Sequence, residues 1–297
     1  MANKQRYYLG ADPEVFVYRD NKIVPVCGLV GGTKDEPIKV EMGDPIPGSI
    51  GNYAYQEDGV AFEFNIPAAT SARNFESHIR AMKIWMTRFL GDKGLEWRSK
   101  PQHKFTLNQL VHPSTQIIGC DPDMWAYKLD GAYERKPFTI EDLGTTRYCG
   151  GHIHLGYNRE DVPSHIMAQL VDLFVTIPFL KHDKQGGRRE KYGLPGVYRD
   201  KPYGIEYRTF SNFWVADKFP LQSFSNCLFE LMSLTGSSTE MLVNLYRATD
   251  WERVKRIITD EDVKASGDVS RNVMLFLQAN ATLPLPFLME ALADAYK

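Results

Sequence analysis

Two histidines, His152 and His154, stand two residues apart in the segment Cys-Gly-Gly-His-Ile-His-Leu-Gly at 149–156. Because successive side chains of a β-strand point to opposite faces, both imidazoles would lie on one face of a strand. The neighbouring glycines leave room for a ligand to approach the backbone. The spacing alone leaves two readings open: a metal or phosphate site, or a strand whose histidines bond to their neighbours.

Three other predicted strands repeat this spacing of polar side chains. The pairs are Asp12 with Glu14, Glu63 with Asn65, and Glu206 with Arg208. If all four strands belong to one sheet, one face would carry more charge than can be buried without bound cations. Oxygen-rich ligation with a single imidazole suits Mg²⁺ or Mn²⁺ better than zinc, and two such ions could bridge the phosphates of a nucleotide.

A glycine-containing segment at 181–203 is rich in lysine and arginine. One reading is a solvated basic loop. The other is a clamp for phosphates, because guanidinium groups match phosphate oxygens in pairs. In the second reading, the residues that bind the nucleotide are Arg188, Arg189, Arg199, Lys201 and, from the following strand, Arg208.

The segment at 119–128 repeats the order of residue types at 10–19, with Asp121 and Asp123 in the places of Asp12 and Glu14. The repeat predicts two related strand openings, arising from a duplication or from shared turn chemistry. We assign Asp121 and Asp123 to substrate binding, together with Asn65 and His154.

Hydrophobic periodicity predicts strands at 7–18, 56–67 and 203–210 and helices at 71–90 and 163–180. Ser71 is the expected cap of the first helix. From 220 onward the pattern is helical, with breaks near Gly236 and further helices at 251–258, 269–279 and 286–296. We predict an α+β fold in one domain, 1–297, with a sheet-rich part at 1–219 and a helical part at 220–297.

Composition excludes some classes of protein. A net charge of -2 argues against a general nucleic-acid binder. The chain contains no apolar run as long as the roughly 18 residues of a membrane span, and its N-terminus lacks an apolar signal segment, so we expect a cytoplasmic protein without membrane contact. The 4 cysteines are scattered, which indicates neither a zinc knuckle nor a disulfide framework.

These motifs resemble those of the phage-encoded type 2 amidoligases, in the glutamine synthetase and γ-glutamylcysteine synthetase superfamily of carboxylate-amine ligases. That superfamily's first metal-bearing strand reads glycine, any residue, acid, proline, Glu, aromatic. Here Asp12, one methylene shorter than the usual Glu, and Glu14 occupy the two acidic places. The later motifs match Glu63 between phenylalanines, the first histidine of the His-x-His strand, and the Glu-x-Arg strand at Glu206.

The resemblance implies a curved, mainly antiparallel sheet of the glutamine-synthetase type, with helices packed outside it. It also implies two ions, Mg²⁺ or Mn²⁺. Glu14, Glu63 and a third carboxylate would bind one ion, and Asp12, His152 and Glu206 the other. The third carboxylate has two candidates, Asp58 and Glu57.

The implied reaction begins with ATP phosphorylating a carboxylate, after which an amine displaces the phosphate and forms an amide. The resemblance makes Arg208, Arg199 and Glu63 the expected catalytic residues. Substrates would be ATP, an amine and a carboxylate, the last two from small molecules, peptides or protein side chains. The oligomeric state is left open.

Two other functions compete with the ligase. A strand-borne His-x-His with a carboxylate could also hold zinc and activate water in a hydrolase. The basic residues argue against this, because they have a clear role only when an anion is bound. The other alternative is a non-catalytic phage structural or interaction protein that retains the fold.

Overall fold

The computed structural model describes residues 7–42, 48–116, 123–128, 134–135 and 139–297. The strands are β1 (Tyr8–Arg19), β2 (Lys22–Val24), β3 (Ile38–Val40), β4 (Tyr53–Asp58), β5 (Ala61–Asn65), β6 (Glu96–Arg98), β7 (Gln102–Lys104), β8 (Met124–Trp125), β9 (Thr146–Tyr148), β10 (Gly151–Gly156), β11 (Val197–Lys201) and β12 (Gly204–Tyr207).

The helices lie between and after these strands. They are α1 (Ala72–Gly91), α2 (Ile140–Leu143), α3 (Ser164–Val171), α4 (Ile177–Phe179), α5 (Leu221–Ser237), α6 (Thr239–Ala248), α7 (Trp251–Thr259), α8 (Val263–Asn280) and α9 (Pro286–Tyr296). A π-helical turn, Asp172–Thr176, joins α3 to α4. None of the helices in the described ranges is both long and apolar enough to cross a bilayer.

The main sheet runs in the order β3-β4-β5-β1-β10-β12-β11-β8, and its neighbouring strands are antiparallel. The long strand β1 lies at its centre. Its first half pairs with β10, the residues Glu14 and Val15 pair with β5, and its last residues pair with β2 and β6. β1 therefore joins the strand of the two histidines to the strand of Glu63.

The predicted α+β class and mainly antiparallel sheet are confirmed, but the expected curvature is not. The sheet is open and uncurled, with β3 and β8 at opposite ends of the strand order. Apart from β1, its strands are only two to six residues long. Within the described residues, β3 and β8 do not pair with each other, so no hydrogen bonds between the two edges hold the sheet in a curled shape. The glutamine-synthetase type of the sheet stays a prediction.

Alternation along β10 fixes which face carries the histidines. Ile153 and Leu155 are fully buried in the apolar core, and His152 and His154 therefore point to the other face. The helix α1 packs against α5, with its apolar stripe buried and Ser71 accepting a hydrogen bond from the Asn74 amide at 3.2 Å. The predicted cap and helix are confirmed.

The helical part begins at Leu221 as predicted, and the break falls between α5 and α6. The helix α8 begins at Val263, six residues before the predicted start at Val269. The reason is a cap that the prediction overlooked: the Asp262 carboxylate accepts a hydrogen bond from the Ala265 amide at 2.9 Å. One buried apolar cluster contains residues of both the sheet and the helical part.

Candidate active site

The strand registers bring all four predicted polar pairs to one face of the sheet. Asp12 pairs with His152, Glu14 with Glu63, and His154 with Glu206. Directly paired residues of antiparallel strands share a face, and so do residues two apart on one strand. We call this surface the site face.

At its centre lie Asp12, His152 and Glu206, which we call the central cluster. Each offers one ligand atom, and these atoms all lie within 4.8 Å of one another. His152 Nδ1 is 3.6 Å from Asp12 Oδ1 and 3.8 Å from Glu206 Oε1. Among the described residues, this group of His, Cys, Asp and Glu side chains has the spacing of a metal site.

On one side of the cluster lie three cations, Arg199, Lys201 and Arg208, which we call the basic half. Lys201 Nζ is 2.9 Å from Glu206 Oε2, Arg199 Nη1 is 3.7 Å from Glu206 Oε1, and Arg208 donates a short hydrogen bond to Glu206. Burial alone would raise the pKa of the Glu206 carboxyl, but Arg208 and its basic neighbours hold that pKa well below its usual range. Glu206 is therefore ionised.

Arg208 lies at the centre of the contacts in the basic half. It is only 7% exposed, and its guanidinium contacts His152 Nδ1 at 3.1 Å and donates to the Tyr192 hydroxyl at 2.8 Å. Asp123 Oδ1 lies 3.1 Å from both Arg208 Nε and Arg199 Nε. These contacts fix the direction of both guanidinium groups before any ligand arrives.

His152 is 3% exposed. Burial, and then the nearby Arg208, lower the pKa of His152 well below its usual value. The imidazole is therefore neutral, which is the form that binds a metal ion.

On the other side of the cluster lie Glu14, Asp58 and Glu63, which we call the acidic half. Burial and the nearby Asp58 raise the pKa of Glu14 to about 8. Burial and the carboxylates of Asp58, Asp12 and Glu14 raise the pKa of Glu63 well above its usual value. Burial likewise raises the pKa of Asp58. These carboxylates crowd one another, and a bound cation would relieve the repulsion.

The hydrogen bonds of the acidic half are few. Glu14 accepts one from the Gly150 amide at 2.8 Å, and Glu63 accepts one from Gln56 Nε2 at 2.9 Å. Asp12 Oδ1 is buried without a hydrogen-bond partner in the described structure, although His154 Nε2 lies 3.1 Å away. This donor set of carboxylates with one neutral imidazole fits a hard divalent cation such as Mg²⁺ or Mn²⁺.

Residues 144–243 match the family model of the phage phiEco32-like COOH.NH2 ligase-type 2. The match supports the resemblance to the amidoligases over these residues, and the name of the matched family indicates a carboxylate-amine ligase. It contains the central residues His152 and Glu206 and the whole basic half, whereas β1, β4 and β5 precede it. No curated protein matches the chain.

The amidoligase resemblance left Asp58 and Glu57 as alternatives for one ligand, and the structure separates them. The Glu57 carboxylate accepts hydrogen bonds from the backbone amides of Gly28, Val30 and Gly31 at 2.7 to 2.9 Å. It holds the loop before β3, on the side of β4 opposite Asp58. Asp58 shares the site face, so the geometry favours Asp58.

The sequence left two readings for Arg188 and Arg189, a solvated basic loop or a clamp for phosphates, and the structure places both side chains in the interior. Both are 1% exposed or less. Arg188 donates to Gln185 Oε1 at 2.6 Å and to the carbonyls of Thr209 and Phe210, and Arg189 pairs with Asp183 at 3.0 Å. Because their Nη groups donate to partners inside the protein, we assign both arginines to holding the loop in place rather than to phosphate contact.

Arg199 and Lys201 lie on β11, not in the irregular loop that the glycine-rich sequence predicted. Of the expected substrate-binding residues, Asp123 contacts both arginines of the basic half, and Asn65 and His154 line a cavity at the end of the site face. Asp121 lies outside the described residues, as do the other residues of the repeat at 119–122.

Two residues of the site were not predicted. Gln56 stands two residues before Asp58 on β4 and faces Glu63, so the spacing rule that found the other pairs would also have found it. Tyr192 bridges Arg208 and His152, with its hydroxyl 3.1 Å from His152 Nε2. It comes from an irregular segment, where no periodicity indicates the direction of a side chain.

Proposed function

We propose that this chain is an ATP-dependent carboxylate-amine ligase that forms an amide or isopeptide bond through an acyl phosphate. One observation carries the proposal. A crowded group of carboxylates and a preorganised group of cations lie side by side on the site face and meet at the central cluster. Transfer of a phosphoryl group from a nucleotide to a carboxylate needs both kinds of charge in one place.

The chemical problem explains the basic half. A carboxylate is a poor electrophile, and phosphorylation gives it a leaving group that an amine can displace. Arg208 and Arg199 would bind the oxygens of the phosphoryl group and stabilise the charge that migrates in the transition state. Their contacts to Asp123 and Tyr192 hold them in position, so little reorganisation is needed during the reaction.

The acidic half and the central cluster explain the need for divalent cations. Glu14, Glu63 and Asp58 would hold one ion, and Asp12, His152 and Glu206 the other. Such ions supply positive charge that draws nucleotide phosphates to a face otherwise repulsive to them. Arg208 contacts both His152 and Glu206, so a cation at the central cluster would have to compete with its guanidinium.

Calorimetry with ADP or ATP in the presence of Mg²⁺ tests the proposal before either substrate is known. We expect nucleotide binding that requires the metal and that falls at least tenfold in Arg199→Gln and Glu63→Gln. The matched control is Arg80→Gln, since Arg80 lies on α1 with a 72% exposed side chain and pairs with Glu76. Circular dichroism establishes that each variant is folded.

Absence of nucleotide binding by the folded wild-type protein with Mg²⁺ or Mn²⁺ would overturn the ligase assignment. If the protein instead hydrolysed amides with Zn²⁺ and without nucleotide, the hydrolase alternative would replace it. The donor set at the central cluster, with two carboxylates and one imidazole, favours Mg²⁺-dependent nucleotide binding over hydrolysis with Zn²⁺.

A further inference from the structure

A cavity of about 340 Å³ lies at the end of the site face, next to His154. It begins where the strands β1 and β10 leave the central cluster. Its lining includes Tyr8, Ile50, Asn65, Ala68, His154 and Tyr203. Such a volume is near the lower end of the roughly 300 to 1,000 Å³ of small-molecule pockets, which suits a group the size of an amino-acid side chain.

Two glycines create the floor of this cavity. Gly10 pairs with His154 and Gly156 pairs with Tyr8, all on the site face. A Cβ atom at Gly156 would lie 2.9 Å from Tyr8 Cβ, and one at Gly10 would lie 3.4 Å from His154 Cβ. Glycine at both positions lets the side chains of Tyr8 and His154 lie close against the strands, and these side chains line the recess.

The lining of the recess differs in charge from its inner end. Its lining, within the described residues, contains neither lysine nor arginine and neither Asp nor Glu. At the inner end, His154 Nε2 lies 3.1 Å from Asp12 Oδ1, and beyond Asp12 lie the carboxylates of the acidic half. A ligand with an apolar body and a positively charged end therefore complements the recess and its inner end.

A carboxylate substrate would be drawn to the basic half rather than to the recess. Its anion would be repelled by Asp12 and attracted to Arg199 and Arg208, which lie beyond Glu206 and His152 from the recess. The two substrates of a ligase would then approach the centre from different directions. Ile50, an isoleucine with 57% of its surface exposed, gives the mouth of the recess an apolar rim.

We propose that the cavity binds the apolar side chain of the amine substrate, a small primary amine whose ammonium group points toward Asp12. The assignment rests on the proposed ligase function and names the class of one of its substrates. The carboxylate substrate binds on the side of the basic half.

Ligand-observed NMR on the full chain without nucleotide tests this with three probes: isoamylamine, ethanolamine and isocaproate. We expect isoamylamine to bind at least tenfold more tightly than ethanolamine, which has no apolar body, and isocaproate not to displace it. Ala68→Phe, which fills the recess, should weaken isoamylamine binding at least tenfold and leave binding of Mg²⁺ with ADP unchanged.

A second variant, Ile50→Asn, removes apolar surface from the exposed rim without adding charge and provides a test that does not depend on the folding of Ala68→Phe. It should weaken isoamylamine binding at least threefold if the apolar rim is used. Its control is Ile84→Asn on α1, since Ile84 is 50% exposed and lines a different groove. Unchanged isoamylamine binding in both lining variants, no isoamylamine binding to the wild type, or preferential binding of isocaproate would overturn the proposal.

The outcomes for the cavity and for the ligase are separable. Amine binding without any nucleotide binding would support the assignment of the cavity and overturn the proposed ligase function. Nucleotide binding without amine binding would overturn the assignment of the cavity and support the ligase function.

Discussion

Glu14 and Glu206 are both buried glutamates on one face of the sheet, yet their pKa values are displaced in opposite directions. The pKa of Glu14 rises to about 8 because the side chain is buried beside other carboxylates. The pKa of Glu206 lies well below the usual range, despite similar burial, because Arg208 and its neighbours surround the carboxylate. The same residue type is thus held in two electrostatic states on β1 and β12, two strands of one sheet that are separated by β10.

The difference indicates what each half of the site needs from outside the protein. In the basic half, the carboxylates of Glu206 and Asp123 compensate positive charge, and their contacts order the cations without a ligand. In the acidic half, compensation is incomplete, so protons or metal ions must supply it. An ordered cation group beside a group that recruits cations is a suitable receptor for a metal-bound polyphosphate.

The largest expected effect comes from breaking the basic half. Arg208→Met leaves Glu206 and Asp123 buried with fewer partners, and such a loss typically destabilises a protein by about 3 to 5 kcal/mol. Urea unfolding followed by tryptophan fluorescence measures it. The matched control, Arg159→Met, removes the exposed pair with Asp200 at 2.9 Å and should change stability by less than about 1 kcal/mol. Equal losses of stability in the two variants would show that the buried contacts of Arg208 stabilise the protein no more than an exposed ion pair does.

Supplying a cation should stabilise the acidic half. At a concentration of Mg²⁺ or Mn²⁺ that is 100 times the dissociation constant, binding to the folded state adds about 2.7 kcal/mol to the free energy of unfolding. Thermal melts in EDTA and in Mg²⁺, at matched ionic strength, measure the difference. Glu63→Gln should abolish most of this stabilisation. If Glu63→Gln retained it, the ion would bind elsewhere.

The two halves should also respond to pH in opposite senses. Between its ordinary value of 4.5 and the folded value of about 8, Glu14 keeps its proton in the folded state and loses it in the unfolded state. In EDTA, this contribution to stability is therefore lost as pH rises through that window, by at most about 1.4 kcal/mol per pH unit for one proton. For Glu206, whose folded pKa is lowered, stability is lost as pH falls below 4.5.

Urea unfolding at several pH values in EDTA checks this assignment. Glu14→Gln should make the loss of stability between pH 4.5 and 8 less steep, since the amide does not titrate. The control Glu76→Gln removes a carboxylate from the surface of α1 and should leave the slope unchanged. An unchanged slope in Glu14→Gln would contradict the assignment of a raised pKa to Glu14.

Much of the site face was predictable from the sequence because strand periodicity is strict. Asp12 with Glu14 and Glu206 with Arg208 had to share a face once each segment formed a strand, since the apolar residues between them had to reach the core. Which strands would be neighbours could not be read from local patterns. The resemblance to a known family supplied only the grouping of the polar residues around two ions, and the strand registers show which strands bring these residues to one face.

The basic segment could not be resolved from the sequence in the same way. Arg188 and Arg199 are the same residue type only eleven positions apart, but one is fully buried against Gln185 and backbone carbonyls and the other faces Glu206. Whether each arginine is buried or faces the site depends on which residues the fold places beside it. The residue type alone does not specify those partners. Tyr192 was missed for the same reason.

The smallest expected effect separates the adjacent acids Glu57 and Asp58, which the sequence left as alternatives. Glu57→Gln weakens the three hydrogen bonds from the loop amides of Gly28, Val30 and Gly31 and should cost about 1 kcal/mol. It should leave the stabilisation by Mg²⁺ intact, because the side chain does not belong to the site face.

Asp58→Asn should have the opposite effects, with little loss of stability in EDTA and a smaller gain in stability on adding Mg²⁺. Thermal melts of both variants with and without the metal measure the two quantities together. If Glu57→Gln reduced the gain from Mg²⁺ as much as Asp58→Asn does, the third carboxylate of the acidic half would be Glu57, and the loop would have to release it when the metal binds.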